Sequence, residues 1–202
     1  GKGWETRFRE FDFEPVAAAS IGQVHRARTR DGRDIALKIQ YPGVAKSITS
    51  DVDNLAVLLR MTRILPIEFD TSALITEAKR QLKQEADYLI EASYLRAYRD
   101  LVSDEESFIV PRVHDDLTTT RILAMDYVSG QPLESLREDG VNQGLRNRVG
   151  RLLEKLVFRE LFEFRVMQSD PNFGNYLFRP EDEKIVLLDF GSSVIFEKEF
   201  TE

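Results

Sequence analysis

The alternation of apolar and polar residues near the start of the chain predicts short strands followed by a helix. The strands are predicted at residues 14–16, 24–28 and 35–40. A loop of small residues at 17–22 separates the first two, and a turn at Asp31-Gly32 separates the last two. Apolar residues then recur every three or four positions between Val44 and Leu59, which predicts an amphipathic helix that ends before Pro66.

A second and longer helix is predicted in the middle of the chain. Its pattern begins near Thr71 and continues without interruption to about Asp100. The apolar stripe of this helix consists of Ala78, Leu82, Leu89 and Ala92. Glu85 falls inside the stripe, so its carboxylate is expected to face the protein interior.

Four more strands and two more helices are predicted in the rest of the chain. The strands are at 108–113, 121–127, 176–178 and 184–188. The segment 125–128 runs into Ser129-Gly130 and has the character of a hinge. Helical spacing then predicts a short helix around 133–136 and a long one over 149–164, which leads the chain to Gln168.

Composition narrows the classes of protein that fit. A chain of 202 residues with 42% apolar residues can form one large domain or two small lobes. A net charge of −7 argues against a general nucleic-acid binder, because phosphate backbones are held by clustered cations. The absence of cysteine excludes disulfides and thiolate metal sites. The longest apolar stretches, at 55–59 and 185–188, are too short to cross a bilayer, so no membrane span is predicted.

Three polar residues late in the chain have the spacing of a phosphoryl-transfer site. Asp170 and Asn175 are separated by four residues, and Asp189 precedes Phe190-Gly191 at the end of a short apolar strand. In kinases such a loop supplies the base and one magnesium ligand, and the second Asp supplies the other ligand. Taken alone, an aspartate before a proline would be a turn residue. The spacing of Asp170, Asn175 and Asp189 taken together favours a catalytic role for Asp170 instead. The pattern predicts Asp170 as catalytic base, with Asn175 and Asp189 holding Mg²⁺ on ATP.

A lysine on an early strand supplies the complementary half of such a site. The run 35–38, Ile-Ala-Leu-Lys, has the form of the kinase strand that sends a lysine to nucleotide phosphates. Strand alternation places Ala36 and Lys38 on one face, so a small residue leaves room for a base beside a cation. Leu177 is then predicted to form the floor of the adenine pocket. A lone strand lysine would instead extend its ammonium group to water, and the later motifs decide against that reading.

Lys38 needs a carboxylate partner if it lies in a cleft, because an unpaired buried charge is costly. Glu85 is the partner preferred on helical geometry, since it lies in the apolar stripe of the second predicted helix. Glu91 lies well round the helix from Glu85 and is the alternative. Both carboxylates, together with Asp87, could also be solvated surface charges.

The segment 17–23, Ala-Ala-Ala-Ser-Ile-Gly-Gln, occupies the position where kinases carry a glycine-rich cover over the phosphates. Alanine does not enter positive backbone dihedrals without strain. This loop is therefore expected to be stiffer than a glycine-rich one, and nucleotide handling is expected to differ from that of ordinary kinases.

Taken together, these segments resemble the UbiB family of atypical kinase-like proteins, also called ADCK or aarF-domain proteins. The resemblance rests on the alanine-rich run from Glu14 to His25, the lysine strand that continues into Tyr41-Pro42-Gly43, the Glu85-Ala86-Asp87 sequence, Asp170-Pro171-Asn172 and Asp189-Phe190-Gly191. It covers nearly the whole chain. The alanine-rich loop and the E-x-D helix are specific to that family rather than to kinases in general.

The resemblance implies an α+β, protein-kinase-like fold of two lobes that binds Mg-ATP between them. Residues 1–128 would form a small lobe with an antiparallel sheet and extra helices, and residues 129–202 part of a helical large lobe. Asp170 and Lys38 would be catalytic, and Asn175 and Asp189 would hold magnesium. The implied nucleotide-binding set is Ala18, Ala19, Ser20, Val24, Ala36, Lys38, Glu85, Glu91, Met125, Asp126, Tyr127, Val128 and Leu177. In the family a glutamate six residues after the E-x-D glutamate pairs with the strand lysine, which favours Glu91 and leaves the choice of partner open.

The resemblance also implies a role in ubiquinone (coenzyme Q) biosynthesis or lipid homeostasis, with quinone-pathway proteins and a lipid or quinone precursor as partners. The implied location is cytoplasmic and peripheral to the inner membrane, or the mitochondrial matrix in a eukaryote. The family's K-x-G-Q segment is absent and the chain stops soon after Gly191, so we expect a fragment of the family domain. Three functions compete: an ATPase or kinase, a pseudokinase-like binding module switched by nucleotide, and an aminoglycoside-phosphotransferase-type kinase, which the alanine-rich loop argues against.

Overall fold

The computed structural model describes residues 3–62, 71–169 and 172–201. The predicted base Asp170 and the predicted helix boundary at Pro66 lie outside these ranges. The described strands, in chain order, are β1 (Phe8–Phe11), β2 (Ala17–Ala19), β3 (Gly22–Thr29), β4 (Asp34–Gln40), β5 (Phe108–Ile109), β6 (Ile122–Asp126), β7 (Gln131–Pro132), β8 (Val166–Gln168), β9 (Tyr176–Arg179), β10 (Lys184–Leu187) and β11 (Ser193–Ile195).

The described α-helices are α1 (Val44–Thr62), α2 (Thr71–Glu85), α3 (Tyr88–Leu101), α4 (Gln143–Phe158) and α5 (Lys198–Thr201). A π-helical segment, Arg159–Phe164, extends α4, and short 3-10 turns lie at Trp4–Arg7, Leu133–Arg137 and Phe173–Asn175. None of the helices in the described ranges is both long and apolar enough to span a membrane.

Three sheets hold the strands together. The first has the order β1-β3-β4-β6, with β2 paired to β3, and all of its pairings are antiparallel. The second has the order β5-β10-β9-β7, and β8 and β11 form a two-stranded ladder. The strand β5 belongs to the predicted small lobe but pairs with β10 in the second sheet, so the two predicted lobes share a sheet. The mixed α+β class and the antiparallel first sheet agree with the expectation.

Close packing of β3 against β4 requires the glycine at the start of β3. A Cβ atom on Gly22 would lie 2.2 Å from the carbonyl oxygen of Ile39. The two residues Gly22 and Gln40 are register partners at this end of the ladder. Any side chain at position 22 would therefore separate β3 from the strand that carries Lys38.

The helix α3 connects the first sheet with the rest of the core. Its side chains at Tyr88, Ala92, Leu95 and Tyr98 are fully buried and recur every three or four residues. They belong to one apolar cluster with Leu123 of β6 and Phe190. Burying a large apolar side chain stabilises a fold by about 1.5–3 kcal/mol, so this stripe is a main determinant of where α3 sits.

The prediction of one unbroken helix from Thr71 to about Asp100 was wrong. The helix is interrupted at Ala86 and Asp87, and Asp87 has an extended backbone with φ −110° and ψ 95°. Its side chain accepts a hydrogen bond from Leu89 N and caps α3. Asp87 therefore starts a new helix whose faces are not in phase with those of α2.

Two predictions about the first strands were also wrong. The strand expected at 14–16 is absent, and the first strand is β1, whose Phe8 and Phe11 pack on a small apolar cluster of the sheet. The alanine-rich segment, expected to be a loop, forms β2 and a tight hairpin with β3. Pairing with β3 on one side gives these alanines their strand conformation, and the local sequence does not indicate that pairing.

Candidate active site

A cleft of about 730 Å³ lies between the first two sheets. Every predicted site residue within the described ranges lines it: Ala18, Ala19, Ser20, Val24, Ala36, Lys38, Glu85, Glu91, Met125, Asp126, Tyr127, Val128, Asn175, Leu177 and Asp189. Asp170 is the predicted site residue whose position is not described. The elements that line the cleft are far apart in sequence, so the fold brings these residues together.

Lys38 lies at the centre of a buried group of charges in this cleft. This residue of β4 is 6% exposed, and its Nζ donates to both carboxylate oxygens of Glu91, at 2.8 and 2.9 Å. The same Nζ donates to Asp189 Oδ2 at 3.1 Å. Burial by itself would lower the pKa of Lys38, but the two carboxylates outweigh it and hold the pKa above its ordinary value. Lys38 is therefore a fixed cation in the cleft.

The partner of Lys38 is Glu91, and the preference for Glu85 drawn from the helical stripe was wrong. The break at Asp87 turns α3 so that Glu91 faces β4 and is 3% exposed. Glu85, at the end of α2, accepts instead from Ser192 Oγ at 3.2 Å. Burial raises the pKa of Glu91 to about 7, although Lys38 acts against that rise.

The alanine-rich strand β2 forms one wall of the cleft. Ala17, Ala18 and Ala19 pair with Val24, Gln23 and Gly22 of β3, in that order. Among the described residues other than glycine, positive φ angles occur at Arg165 and Glu183, so these alanines have ordinary extended backbones. The wall is thus a regular hairpin rather than a flexible glycine turn.

The segment 125–128, predicted to be a hinge, runs from the end of β6 toward β7 of the second sheet and lines the cleft. Met125 is buried opposite Ala36, its register partner on β4. The carboxylate of Asp126 accepts from Nε2 of the buried His114 at 2.8 Å, and Arg33 donates to the other ring nitrogen of that histidine. A salt-bridged arginine, Arg26, stacks over the Tyr127 ring at 4.1 Å. These contacts fix the side chains of Asp126 and Tyr127 in segment 125–128.

Asn175 and Asp189 face the cleft from the opposite side. Asn175 ends a 3-10 turn, and its carbonyl oxygen accepts from Leu188 N at 3.0 Å, which ties that turn to the residue before Asp189. The amide and carboxylate oxygens of these residues are hard donors that Mg²⁺ accepts, together with substrate phosphates. No cluster of three His, Cys, Asp or Glu residues able to hold a metal occurs in the described part of the chain. The donor set therefore fits Mg²⁺ carried in with phosphate rather than an all-protein metal cage.

Tyr88 and Gln168 are among the residues that line the cleft and that the sequence did not predict. Tyr88 is fully buried, and Lys38 Nζ lies 5.3 Å from the centroid of its ring. Gln168 is buried at the end of β8, two residues before Asp170. Spacing gave a usable signal in both cases, because Tyr88 lies one helical turn before Glu91 and Gln168 lies within the catalytic-loop motif.

A buried glutamate below the cleft gives the protein a measurable pH dependence. Burial raises the pKa of Glu160 to about 7, and the polar groups of Tyr98 and of the Gln168 main chain act against that rise. Between pH 4.5 and 7 the folded state holds a proton that the unfolded state has lost, so stability falls as pH rises through this window. We expect Glu160→Gln to gain roughly 3 kcal/mol of stability relative to the original chain between pH 4.5 and 8. Denaturant unfolding at several pH values tests this, and parallel stability curves would contradict it.

The arrangement of the cleft defines a class of protein. The lysine on β4 pairs with a glutamate on α3, and both face the Asp-Phe-Gly sequence in one cleft. This is the architecture of a protein-kinase-like fold. The chain is similar in structure to the Rv3197–erythromycin complex from Mycobacterium tuberculosis, with a TM-score of 0.82 and 31% identity over 96% of this chain and 49% of that one. The Rio2 kinase–ADP/Mg²⁺–phosphoaspartate complex from Chaetomium thermophilum shares the fold at a TM-score of 0.55 and 15% identity, over 97% and 52% of the two chains.

Sequence comparison identifies the family. The ABC1 atypical kinase-like domain matches residues 1–202, so the chain belongs to the ABC1 atypical kinase-like family, in agreement with the resemblance to UbiB proteins. The mitochondrial atypical kinase COQ8B of Rattus norvegicus is 44% identical over 202 residues, which are all of this chain and 38% of that protein. The mitochondrial atypical kinase COQ8 of Saccharomyces cerevisiae is 39% identical over 200 residues, covering 99% of this chain and 40% of that protein. The chain thus spans about two fifths of the length of these relatives.

Proposed function

We propose that the chain is the nucleotide-binding part of a UbiB-type atypical kinase or ATPase that uses Mg-ATP. The observation that carries this proposal is the buried contact of Lys38 with Glu91 and Asp189 in the cleft. Glu91 fixes the Lys38 cation, and the carboxylate of Asp189 beside it is partly open to the cleft. Such a pair of groups is suited to bind a triphosphate with its metal ion.

Different residues of the cleft are assigned to the phosphates and to the metal ion. Lys38 holds phosphate oxygens, and Glu91 keeps its ammonium group in place. Asp189 and Asn175 would hold a magnesium ion that arrives with ATP, and the ion would supply positive charge to the phosphates. Asp170 accepts a proton from the attacking hydroxyl or water, an assignment that rests on the sequence motif.

The other end of the cleft is suited to an adenine ring. Ala36 leaves space on β4, and Val24 and Leu177 offer apolar surfaces from the two sheets. The hinge, residues 125–128, lines the edge of this space. Ala18, Ala19 and Ser20 form the cover over the phosphates, in a hairpin that is stiffer than a glycine-rich loop.

The family membership supports a proposal for the cellular role. We extend the proposal to support of ubiquinone biosynthesis or lipid homeostasis, with a lipid or quinone precursor and quinone-pathway proteins as partners. The two COQ8 relatives described above are named as mitochondrial proteins. In a eukaryotic host this points to the mitochondrial matrix.

Thermal unfolding with and without Mg-ATP tests the proposal. Ligand at about 100 times its dissociation constant adds roughly 2.7 kcal/mol of stability, so the melting temperature is expected to rise by several degrees. ATP with a chelator and Mg²⁺ without nucleotide are the controls, and both are expected to give smaller shifts. No shift with Mg-ATP would contradict the proposal. A shift without any phosphate release would replace it by the pseudokinase-like binding module.

A further inference from the structure

Gln168 is a buried side chain with a hydrogen bond at each end of its amide. It is 5% exposed, although glutamine is usually found at protein surfaces. Its Nε2 donates to the main-chain carbonyl oxygen of Asp189, and its Oε1 accepts from the Tyr176 hydroxyl at 2.8 Å. A carbonyl oxygen only accepts, so the nitrogen must face Asp189, and the orientation of the amide is fixed.

The backbone of Gln168 is held as firmly as its side chain. It is the last residue of β8 and pairs with Ser193 of β11. The next residue, Ser169, donates its N–H to the carbonyl oxygen of Ser192 at 3.0 Å. The position of Gln168 is thus fixed, and its side-chain hydrogen bond can fix the position of the Asp189 main chain.

The carbonyl group that Gln168 holds belongs to the residue whose carboxylate faces Lys38. Asp189 Oδ1 accepts from Gly191 N at 2.9 Å, and Oδ2 accepts from Lys38 at 3.1 Å. The next residue, Phe190, is buried, and the centroid of its ring lies 4.1 Å from the centroid of the Tyr98 ring. The main chain is therefore fixed by Gln168 at the carbonyl of Asp189 and by Tyr98 at the following side chain. With both fixed, the Cα of Asp189 has little freedom to turn its carboxylate away from the cleft.

We propose that Gln168 is a positioning residue for the metal site: its amide sets the main chain of Asp189 and so directs that carboxylate at the bound cation. This inference rests on the proposed function, because it takes Asp189 as a ligand of Mg²⁺. Gln168 acts through a neutral hydrogen bond to the main chain of Asp189. Residues of this kind around a metal site change metal affinity by about 10- to 100-fold when they are replaced.

The test is the variant Gln168→Met, which keeps the unbranched shape and length of the side chain and removes both hydrogen bonds. ADP affinity is measured by calorimetry in saturating Mg²⁺ and again with a chelator, and the ratio of the two affinities isolates the contribution of the metal. We expect this ratio to fall by about 10- to 100-fold in Gln168→Met, with little change in the affinity measured in chelator. A residue with a merely structural role would lower both affinities together or neither.

Gln40→Met is the matched control. Gln40 is also a buried glutamine, 7% exposed, and its Nε2 donates to the Ala86 carbonyl oxygen at 2.7 Å. This variant is expected to lower the melting temperature and to leave the magnesium ratio unchanged. An unchanged ratio in Gln168→Met would overturn the inference.

A second variant keeps the inference testable if Gln168→Met does not fold. Tyr176→Phe removes the donor that holds Gln168 Oε1, and we expect a smaller loss in the same ratio. An unchanged ratio in Tyr176→Phe would then overturn the inference. If the unsubstituted chain shows no magnesium-dependent ADP binding, the proposed function fails instead, and the two failures are thereby distinguished.

Discussion

Asp189→Asn is expected to reduce Mg²⁺-dependent ATP turnover by at least about 100-fold, because a catalytic metal supplies several kcal/mol of transition-state stabilisation and each 1.4 kcal/mol is a factor of ten. Asparagine has the shape of aspartate, and its Oδ1 still accepts from Gly191 N. The negative charge that faces Lys38 and the metal is lost. The fold is expected to change little, since Lys38 keeps both bonds to Glu91.

Phosphate release with Mg-ATP is the measurement, at magnesium concentrations from micromolar to millimolar. Asp182→Asn is the matched control, because Asp182 is an exposed carboxylate on the turn before β10, paired with Arg179. That variant is expected to turn over ATP like the original chain. Equal turnover in Asp189→Asn and the original chain would show that Asp189 is not a metal ligand.

Much of the cleft could be predicted because its signals are local. Lys38 follows from strand alternation beside a small residue, and Asp189 from its place after a short apolar strand. Where residues repeat at the period of a strand or a helix, their spacing alone predicts the element and the face on which they lie. The kinase order of lysine strand, hinge, catalytic loop and Asp-Phe-Gly then predicted that these residues share one cleft, and those within the described ranges do line it.

The partner of Lys38 could not be derived from helical pattern alone. The apolar stripe runs through Glu85 as if one helix spanned the region, and the cap at Asp87 breaks it. Whether an aspartate continues a helix or starts a new one depends on burial at Tyr88 and beyond, which is a tertiary effect. The fully buried face of α3 sets the rotation of that helix and brings Glu91 to β4. Family likeness indicated Glu91 where helical geometry did not.

The role of Gln168 was hidden for a different reason. Its partners are a main-chain carbonyl 21 residues away and a tyrosine eight residues away. Every residue has a main-chain carbonyl group, so no residue type in the sequence marks the one that Gln168 contacts. The strand β2 was misread on similar grounds, because alanine has weak strand propensity and its pairing with β3 is set by the neighbouring strand.

The buried ion pair is expected to give the largest effect on stability. Lys38→Met leaves Glu91 buried without its cation, and breaking a buried pair in this way costs about 3–5 kcal/mol. Glu91→Gln is expected to cost less, because Lys38 keeps the carboxylate of Asp189 at 3.1 Å. In the double variant Lys38→Met/Glu91→Gln no charge is left unpaired between these positions, so most of the loss is expected to be recovered.

The loss in Lys38→Met is expected to depend on pH, and its sign follows from Glu91. The pKa of Glu91 is already raised to about 7 by burial, and Lys38 acts to lower it, so removing the lysine raises it further. The folded state of the variant then binds a proton that the unfolded state has lost above about pH 4.5. The folded original chain holds the same proton up to about pH 7, so stability relative to the original chain is expected to fall only as pH rises above about 7.

A double-mutant cycle at pH 8, measured by denaturant unfolding, gives the coupling between Lys38 and Glu91. We expect about 2–3 kcal/mol, which is within the range for residues in direct contact. The pair Lys155 and Glu105, 2.8 Å apart with the lysine 58% exposed, is the control and is expected to couple by less than about 1 kcal/mol. Equal coupling in the two pairs would mean that Lys38 is solvated like a surface lysine. The fixed cation on which the nucleotide assignment depends would then be absent.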